Sequence, residues 1–174
     1  SSLAKEYSGI IPKAVWNNMI GLVGKGGVGK TSTVGKIIED TIQEMRKENI
    51  WISDESILYA APTHNAVTML QEALNLNSEG TDGVKTLDSM IQKNQKPGSE
   101  NAKKGKADDV VWLLSDEKYT EMLEKGFIQP LIYKKIIVID ESSMVGKEFF
   151  NNLMDRIKLE QEFYKTDTLP LFIF

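Results

Sequence analysis

Apolar positions follow two rhythms along this chain of 174 residues. Unbroken apolar runs occupy 19–23, 57–61 and 136–139, and another fills most of 169–174. Runs of this length between turn residues predict strands covered on both faces, as in a parallel sheet. Elsewhere the apolar residues recur at helical spacing. Val34, Ile37, Ile38, Ile42 and Met45 share one face of a helix predicted over 30–47. Val67, Leu70 and Leu74 do so over 64–76, and Phe149, Phe150, Leu153, Met154 and Ile157 over 146–157. Pro62 stops the second strand. Shorter elements complete the pattern: a strand or turn from Val84, a helix over 87–91, a strand over 110–114 and a helix over 116–125. The last of these has Asp116 in its first turn and Gly126 just past its end, both helix-boundary signals. Residues 49–56 and 75–83 read as connections, and 92–109, rich in Lys, Asn, Gly and Ser, as a solvated insertion. Strands alternating with helices predict an α/β fold, a doubly wound parallel sheet with helices on both faces. Residues 1–18 form a lead-in segment, and 19–174 form a single domain.

Composition narrows the chemistry. Hydrophobic residues make up 41% and charged residues 26%, a globular balance. Cysteine is absent, which excludes disulfides, thiolate metal sites and cysteine nucleophiles and fits a cytoplasmic location. No apolar run approaches the ~20 residues of a membrane span, and residues 1–9 lack a signal-peptide pattern, so no membrane partner is expected. The net charge of −4 argues against bulk electrostatic attraction to nucleic acid. Yet Lys93, Lys96, Lys103, Lys104 and Lys106 meet only Glu100 over 93–106, so any nucleic-acid contact must be local.

The sharpest motif is Gly24-Lys25-Gly26-Gly27-Val28-Gly29-Lys30-Thr31, which fits the phosphate-binding Walker A pattern G-x-x-x-x-G-K-[ST] between a predicted strand and a predicted helix. Glycines let successive N–H groups turn toward phosphate oxygens, and the helix start at Thr31 and Ser32 adds its positive end. Lys30 can reach the β- and γ-phosphates of ATP or GTP, and the Thr31 hydroxyl can bind Mg²⁺. The second carboxylate motif, Walker B, ends the run Ile136-Ile137-Val138-Ile139 with Asp140-Glu141. Asp140 suits the Mg²⁺ shell and Glu141 the activation of water, because neighbouring side chains at a strand end diverge. Ligands of such sheets bind beyond the strands' carboxyl ends, where the Walker A loop, Pro62-Thr63-His64 and Asp140-Glu141 all fall.

Three further strings carry a family resemblance: Ala60-Ala61-Pro62-Thr63-His64-Asn65-Ala66, Val84-Lys85-Thr86-Leu87-Asp88-Ser89-Met90, and Asp140-Glu141-Ser142-Ser143-Met144. In this order they resemble motifs Ia, Ib and II of superfamily 1 DNA helicases of the RecD/Dda type. The resemblance runs from about residue 20 to 174. It implies a P-loop NTPase fold of the RecA-like kind, the N-terminal motor domain of an ATP-dependent helicase that translocates on single-stranded DNA. It also implies that the strand over 169–174 inserts between the Walker A strand and the Asp140 strand. Residues matching Pro62, Thr63, His64, Asn65 and Thr86 would lie along the nucleic-acid strand, by contacts that would serve RNA as well. In that family an insert between motifs Ib and II, here 92–127, forms a duplex-splitting hairpin. Its lysines could touch DNA, and Trp112 or Tyr119 could stack on a base; the alternative is a disordered basic loop over core aromatics.

The chain also departs from that pattern. Lys25 gives the spelling Lys-Gly-Gly-Val-Gly-Lys-Thr, which resembles the dimerising ParA/MinD ATPase switches, whose extra lysine reaches the partner's nucleotide. A non-catalytic nucleotide- or DNA-binding module is a third reading. No glutamine-bearing adenine motif precedes residue 20. The helicase resemblance places a Gly-Asp-x-x-Gln motif (motif III) after residue 174, and then a second RecA-like domain carrying the catalytic arginine. Arg46 and Arg156, the only arginines here, do not match it. Such a domain alone hydrolyses ATP slowly, since an arginine supplied in trans is worth ~10³–10⁵ in rate. Lys25→Ala separates the two ATPase readings. The motor reading predicts no effect on oligomeric state with ATP in analytical ultracentrifugation, whereas loss of an ATP-dependent dimer establishes the switch.

Overall fold

The computed structural model describes residues 13, 19–20, 36, 40, 43–45, 47–49, 56–73, 84–95, 111–140 and 145–174. Its elements in chain order are β1 (Met19–Ile20), β2 (Ile57–Ala61), α1 (His64–Ala73), β3 (Val84–Thr86), α2 (Leu87–Met90), β4 (Lys93–Gln95), β5 (Val111–Leu113), α3 (Asp116–Glu124), a 3₁₀ turn (Leu131–Tyr133), β6 (Ile136–Ile139), α4 (Lys147–Tyr164) and β7 (Leu171–Ile173). Lys36, Asp40, Gln43, Glu44, Met45 and Lys47 are also helical, within the helix predicted over 30–47.

Five strands form one sheet in the order β1-β7-β6-β2-β3, and each neighbouring pair is parallel. β7 therefore lies between β1 and β6, as the helicase resemblance implies. The alternation of side chains along each strand divides the core in two. Leu58, Ala60, Ile137, Ile139, Phe172 and Phe174 share one cluster with the α4 stripe of Phe149, Phe150, Leu153, Met154 and Ile157. Ile57, Tyr59, Ile136, Val138 and Ile173 share the other with Leu70 of α1, and Met45 and Val84 pack against it. Helices thus cover both faces. Each large apolar side chain buried this way contributes roughly 1.5–3 kcal/mol of transfer free energy.

The short helix α3 is capped at both ends. Ser115 accepts a hydrogen bond from Lys118 N at 3.2 Å at the start of α3. At its end Gly126 adopts φ 73°, a conformation that costs a side-chain-bearing residue free energy. Gly126 N donates to Leu123 O at 3.1 Å and Phe127 N to Met122 O at 2.9 Å, the paired bonds of a glycine-terminated helix.

The structure corrects three expectations. First, α4 continues to Tyr164, not 157. The apolar stripe that defines it is carried on by the buried charges of Arg156 and Glu160, which periodicity in apolar residues does not register. Lys165, at φ 51°, then ends the helix. Second, Lys93–Gln95 is not a solvated loop but pairs antiparallel with Val111–Leu113. Leu114 N donates to Gln92 O at 3.0 Å, and the ammonium of Lys93 reaches Glu148 of α4 at 3.2 Å. Third, Tyr119 cannot stack on a base. It is 1% exposed, and the Arg156 guanidinium lies 4.2 Å from its ring centroid.

Tyr119 belongs to a buried polar cluster that fixes α3 to α4. Its hydroxyl donates to Glu160 Oε2 at 2.6 Å, and Ile132 N donates to Glu160 Oε1 at 3.1 Å. Arg156 donates from Nε to Ile91 O at 3.0 Å, from Nη2 to Leu114 O at 2.6 Å and from Nη1 to Asp116 Oδ1 at 3.4 Å. One turn of α4 therefore holds the ends of α2 and β5, the start of α3 and the 3₁₀ turn. Among the described residues no buried side-chain nitrogen or oxygen lacks a partner. That matters because breaking one member of a buried charged set leaves the rest uncompensated.

Tyr119→Phe is expected to lower stability by about 1–3 kcal/mol in urea unfolding, because it strands one carboxylate oxygen of Glu160; an unchanged midpoint contradicts the cluster. Desolvation holds the Glu160 carboxyl above its ordinary range, against the lowering effect of the Tyr119 hydroxyl and the backbone N–H groups. A folded-state pKa above the unfolded value gives stability that is present at low pH and lost as pH rises through the folded pKa. The stability of the wild type relative to Glu160→Gln therefore falls as pH rises through that window, measured by urea unfolding across a pH series.

Candidate functional site

In a parallel sheet all strands end at the same edge, so strand order decides which loops meet. β6 ends at Ile139, and Asp140 follows, half-buried, with its N–H bonded to Ala60 O of β2 at 2.9 Å. β1 lies two strands away across β7, and its chain continues into 21–31. On the other side β2 and β3 end in register, with Ala61 opposite Thr86. Asp140, the Pro62-Thr63-His64-Asn65 segment and Thr86 are thus brought to one edge by three adjacent strands. The Walker A residues Gly24, Lys25, Gly26, Gly27, Val28, Gly29, Lys30 and Thr31, together with Ser32 and Glu141, lie outside the described residues. So do Val34, Ile37, Ile38, Ile42, Leu74 and Lys96, Lys103, Lys104 and Lys106.

The two threonines of this edge have the same local role. Thr63 Oγ1 accepts from Ala66 N at 3.1 Å, capping α1, and Thr86 Oγ1 accepts from Ser89 N at 3.1 Å, capping α2. Each hydroxyl accepts through a lone pair and keeps its own proton available for a second acceptor. Thr63, His64 and Asn65 are exposed, Pro62 and Thr86 half-buried. Two neighbouring strands therefore each deliver a helix start and a hydroxyl to the same rim. Such rims favour anions, through the orphan N–H groups of the first helical turn.

Asp140 has the hard oxygen chemistry that Mg²⁺ prefers, and its place at the carboxyl edge fits that ion. Trp112, 55% exposed, stands on the β4–β5 ribbon opposite Asn94. Sequence reasoning missed Glu160 as a functional part of the architecture and saw Arg156 only as an unmatched arginine. The available signal was their spacing of four residues on the face that also carries Leu153 and Ile157. Among the described residues no helix is long and apolar enough to cross a membrane.

A parallel sheet covered by helices on both faces, with a carboxylate ending its central strand, is the architecture of an α/β P-loop NTPase. The chain belongs to the AAA domain family, whose model matches residues 8–164. This is a P-loop ATPase domain of the kind found in UvrD/Rep-like helicases. Over 138 residues the chain is 28% identical to an uncharacterized protein of Acanthamoeba polyphaga mimivirus. That match covers 79% of this chain and 25% of the viral protein, so the chain spans about a quarter of the length of the curated relative it matches.

The cap geometry predicts distinct outcomes for two substitutions at one position. Thr86→Ala is expected to cost about 1 kcal/mol in urea unfolding, and Thr86→Asp to retain stability, since aspartate caps at least as well. Equal losses for both would show that the cap bond contributes nothing.

Proposed function

We propose that this domain is the ATP-binding motor domain of a superfamily 1 DNA helicase of the RecD/Dda type, coupling ATP hydrolysis to movement along single-stranded DNA. The observation that supports this most is the strand order, which sets Asp140 at the end of β6 and Thr63 and Thr86 at the ends of the next two strands. A nucleotide site beside a phosphate-friendly rim is what a translocating ATPase needs.

In this reading the N–H groups of residues 24–31 and the Lys30 ammonium hold the ATP phosphates, and Thr31 and Asp140 are the ligands for Mg²⁺. Mg²⁺, when bound, neutralises charge on the phosphate oxygens. Glu141, next to Asp140, orients the attacking water and accepts its proton. Thr63 and Thr86 donate their hydroxyl protons to phosphate oxygens of the strand, and Pro62, His64 and Asn65 line its path. Contacts to phosphate carry no base preference, as a motor requires.

Two experiments test this. Glu141→Gln is expected to retain ATP binding and lose hydrolysis by about 10²–10⁴-fold in a phosphate-release assay. The Thr63→Asp, Thr86→Asp double variant keeps both caps and places a negative charge at each proposed phosphate contact. It should melt like the wild type yet bind oligothymidylate roughly tenfold or more weakly in fluorescence anisotropy, and lose any DNA stimulation of hydrolysis. Unchanged DNA affinity in that variant would remove this rim from the DNA path.

A further inference from the structure

The two threonines of the rim are not supported in the same way. Thr63 caps a helix of ten residues that packs Leu70 into the second core cluster, on the face of the sheet opposite α4. Thr86 caps α2, which has four residues, and a helix of one turn does not hold its shape without outside support. That support comes from a residue distant in sequence. Arg156 Nε of α4 donates to Ile91 O, just past the end of α2, at 3.0 Å.

The next residue, Gln92, adopts φ 60°, in the left-handed region. Glycine enters that region freely and glutamine does not, so the turn is strained. Such a conformation persists only where its surroundings hold it, and it is more frequent at functional sites than elsewhere. Here both sides of the joint are held. Arg156 takes Ile91 O before it, and Leu114 N donates to Gln92 O at 3.0 Å. Leu114 O in turn accepts from Arg156 Nη2 at 2.6 Å. One guanidinium thus clamps both chains that meet where α2 passes into β4. It is 1% exposed, so it is out of reach of any ligand at the rim.

We infer that Arg156 is a positioning residue for nucleic-acid binding: by clamping Ile91 and Leu114 it holds Gln92 in its strained turn and so sets where α2 presents the Thr86 hydroxyl. This rests on the reading of Thr86 as a phosphate contact. Thr63 is independent of the clamp, because α1 is anchored by its own packing on the other face.

Arg156→Lys tests this, since lysine keeps the charge but offers one nitrogen where the guanidinium uses three. In the absence of DNA, hydrogen exchange should quicken over 84–92 and stay unchanged over 61–68. Oligothymidylate should bind roughly tenfold more weakly in fluorescence anisotropy. Gln92→Gly supplies the control. Glycine takes φ 60° without strain, so the single variant should fold and bind like the wild type. Added to Arg156→Lys, it should recover melting temperature and leave DNA binding roughly tenfold weak. The proposal is overturned if affinity returns together with melting temperature in the double variant, or if that variant does not fold, because Arg156 is then a purely structural residue. It is also overturned if Arg156→Lys alone binds as the wild type does. A wild type that does not bind oligothymidylate instead removes the DNA reading of the rim, and this proposal with it, even where the exchange results show the clamp.

Discussion

β6 holds the domain together because it is sealed on every side. All four of its residues are at most 1% exposed, and it bonds to β7 on one edge and β2 on the other. A strand in this position cannot shift register by one residue without exchanging its two buried faces, so its neighbours are locked to it. That lock places Asp140 at a defined height above the sheet. It also fixes where β2 delivers Thr63 and where β3, in turn, delivers Thr86. The functional edge is therefore a consequence of strand pairing, and no contact between the loops themselves is needed to align it.

A second, polar constraint governs the insertion. α3 contributes few buried apolar side chains, chiefly Tyr119 and Leu123. What positions it is Arg156 and Glu160, whose hydrogen bonds run to segments distant in sequence. Buried charges of this kind are poor sources of net stability, because desolvation offsets much of their attraction. Their geometry is demanding, however, since each oxygen and N–H must find its own partner. The cluster thus specifies one arrangement of α3, the 3₁₀ turn and the β4–β5 ribbon. The ribbon carries the exposed Trp112 on a base that α4 holds in place.

Much of this was legible in the sequence. The apolar runs at 57–61 and 136–139 became β2 and β6 with unchanged bounds, because a strand buried on both faces needs an unbroken apolar run. The position of β7 followed from the helicase resemblance, not from any pattern within residues 169–174. The helix over 87–91 was visible in its apolar and polar pattern, whereas its cap, Thr86 accepting from Ser89 N, came from the structure. Less visible was whatever depended on polar atoms in the interior. The sequence left Tyr119 open between a base-stacking ring and a core aromatic, because its neighbours in sequence are charged, and α4 seemed to end at Ile157 because its next buried residue is a glutamate. β4 was hidden for a related reason: Lys-Asn-Gln has little strand propensity, and its pairing is imposed by β5 and by the anchoring of Gln92 and Lys93. At the site, the sequence named Thr63 and Thr86, and the fold added that both are caps on adjacent strands.

The central claim is that the carboxyl edge formed by β2 and β3 is the surface a nucleic-acid strand follows. Hydrogen–deuterium exchange with saturating oligothymidylate, followed by mass spectrometry, tests it most directly. The account predicts slower exchange in peptides covering 61–68 and 84–90, the two capped helix starts, with α4 unchanged over 147–164. Protection confined to α4, or none at either helix start, would contradict it.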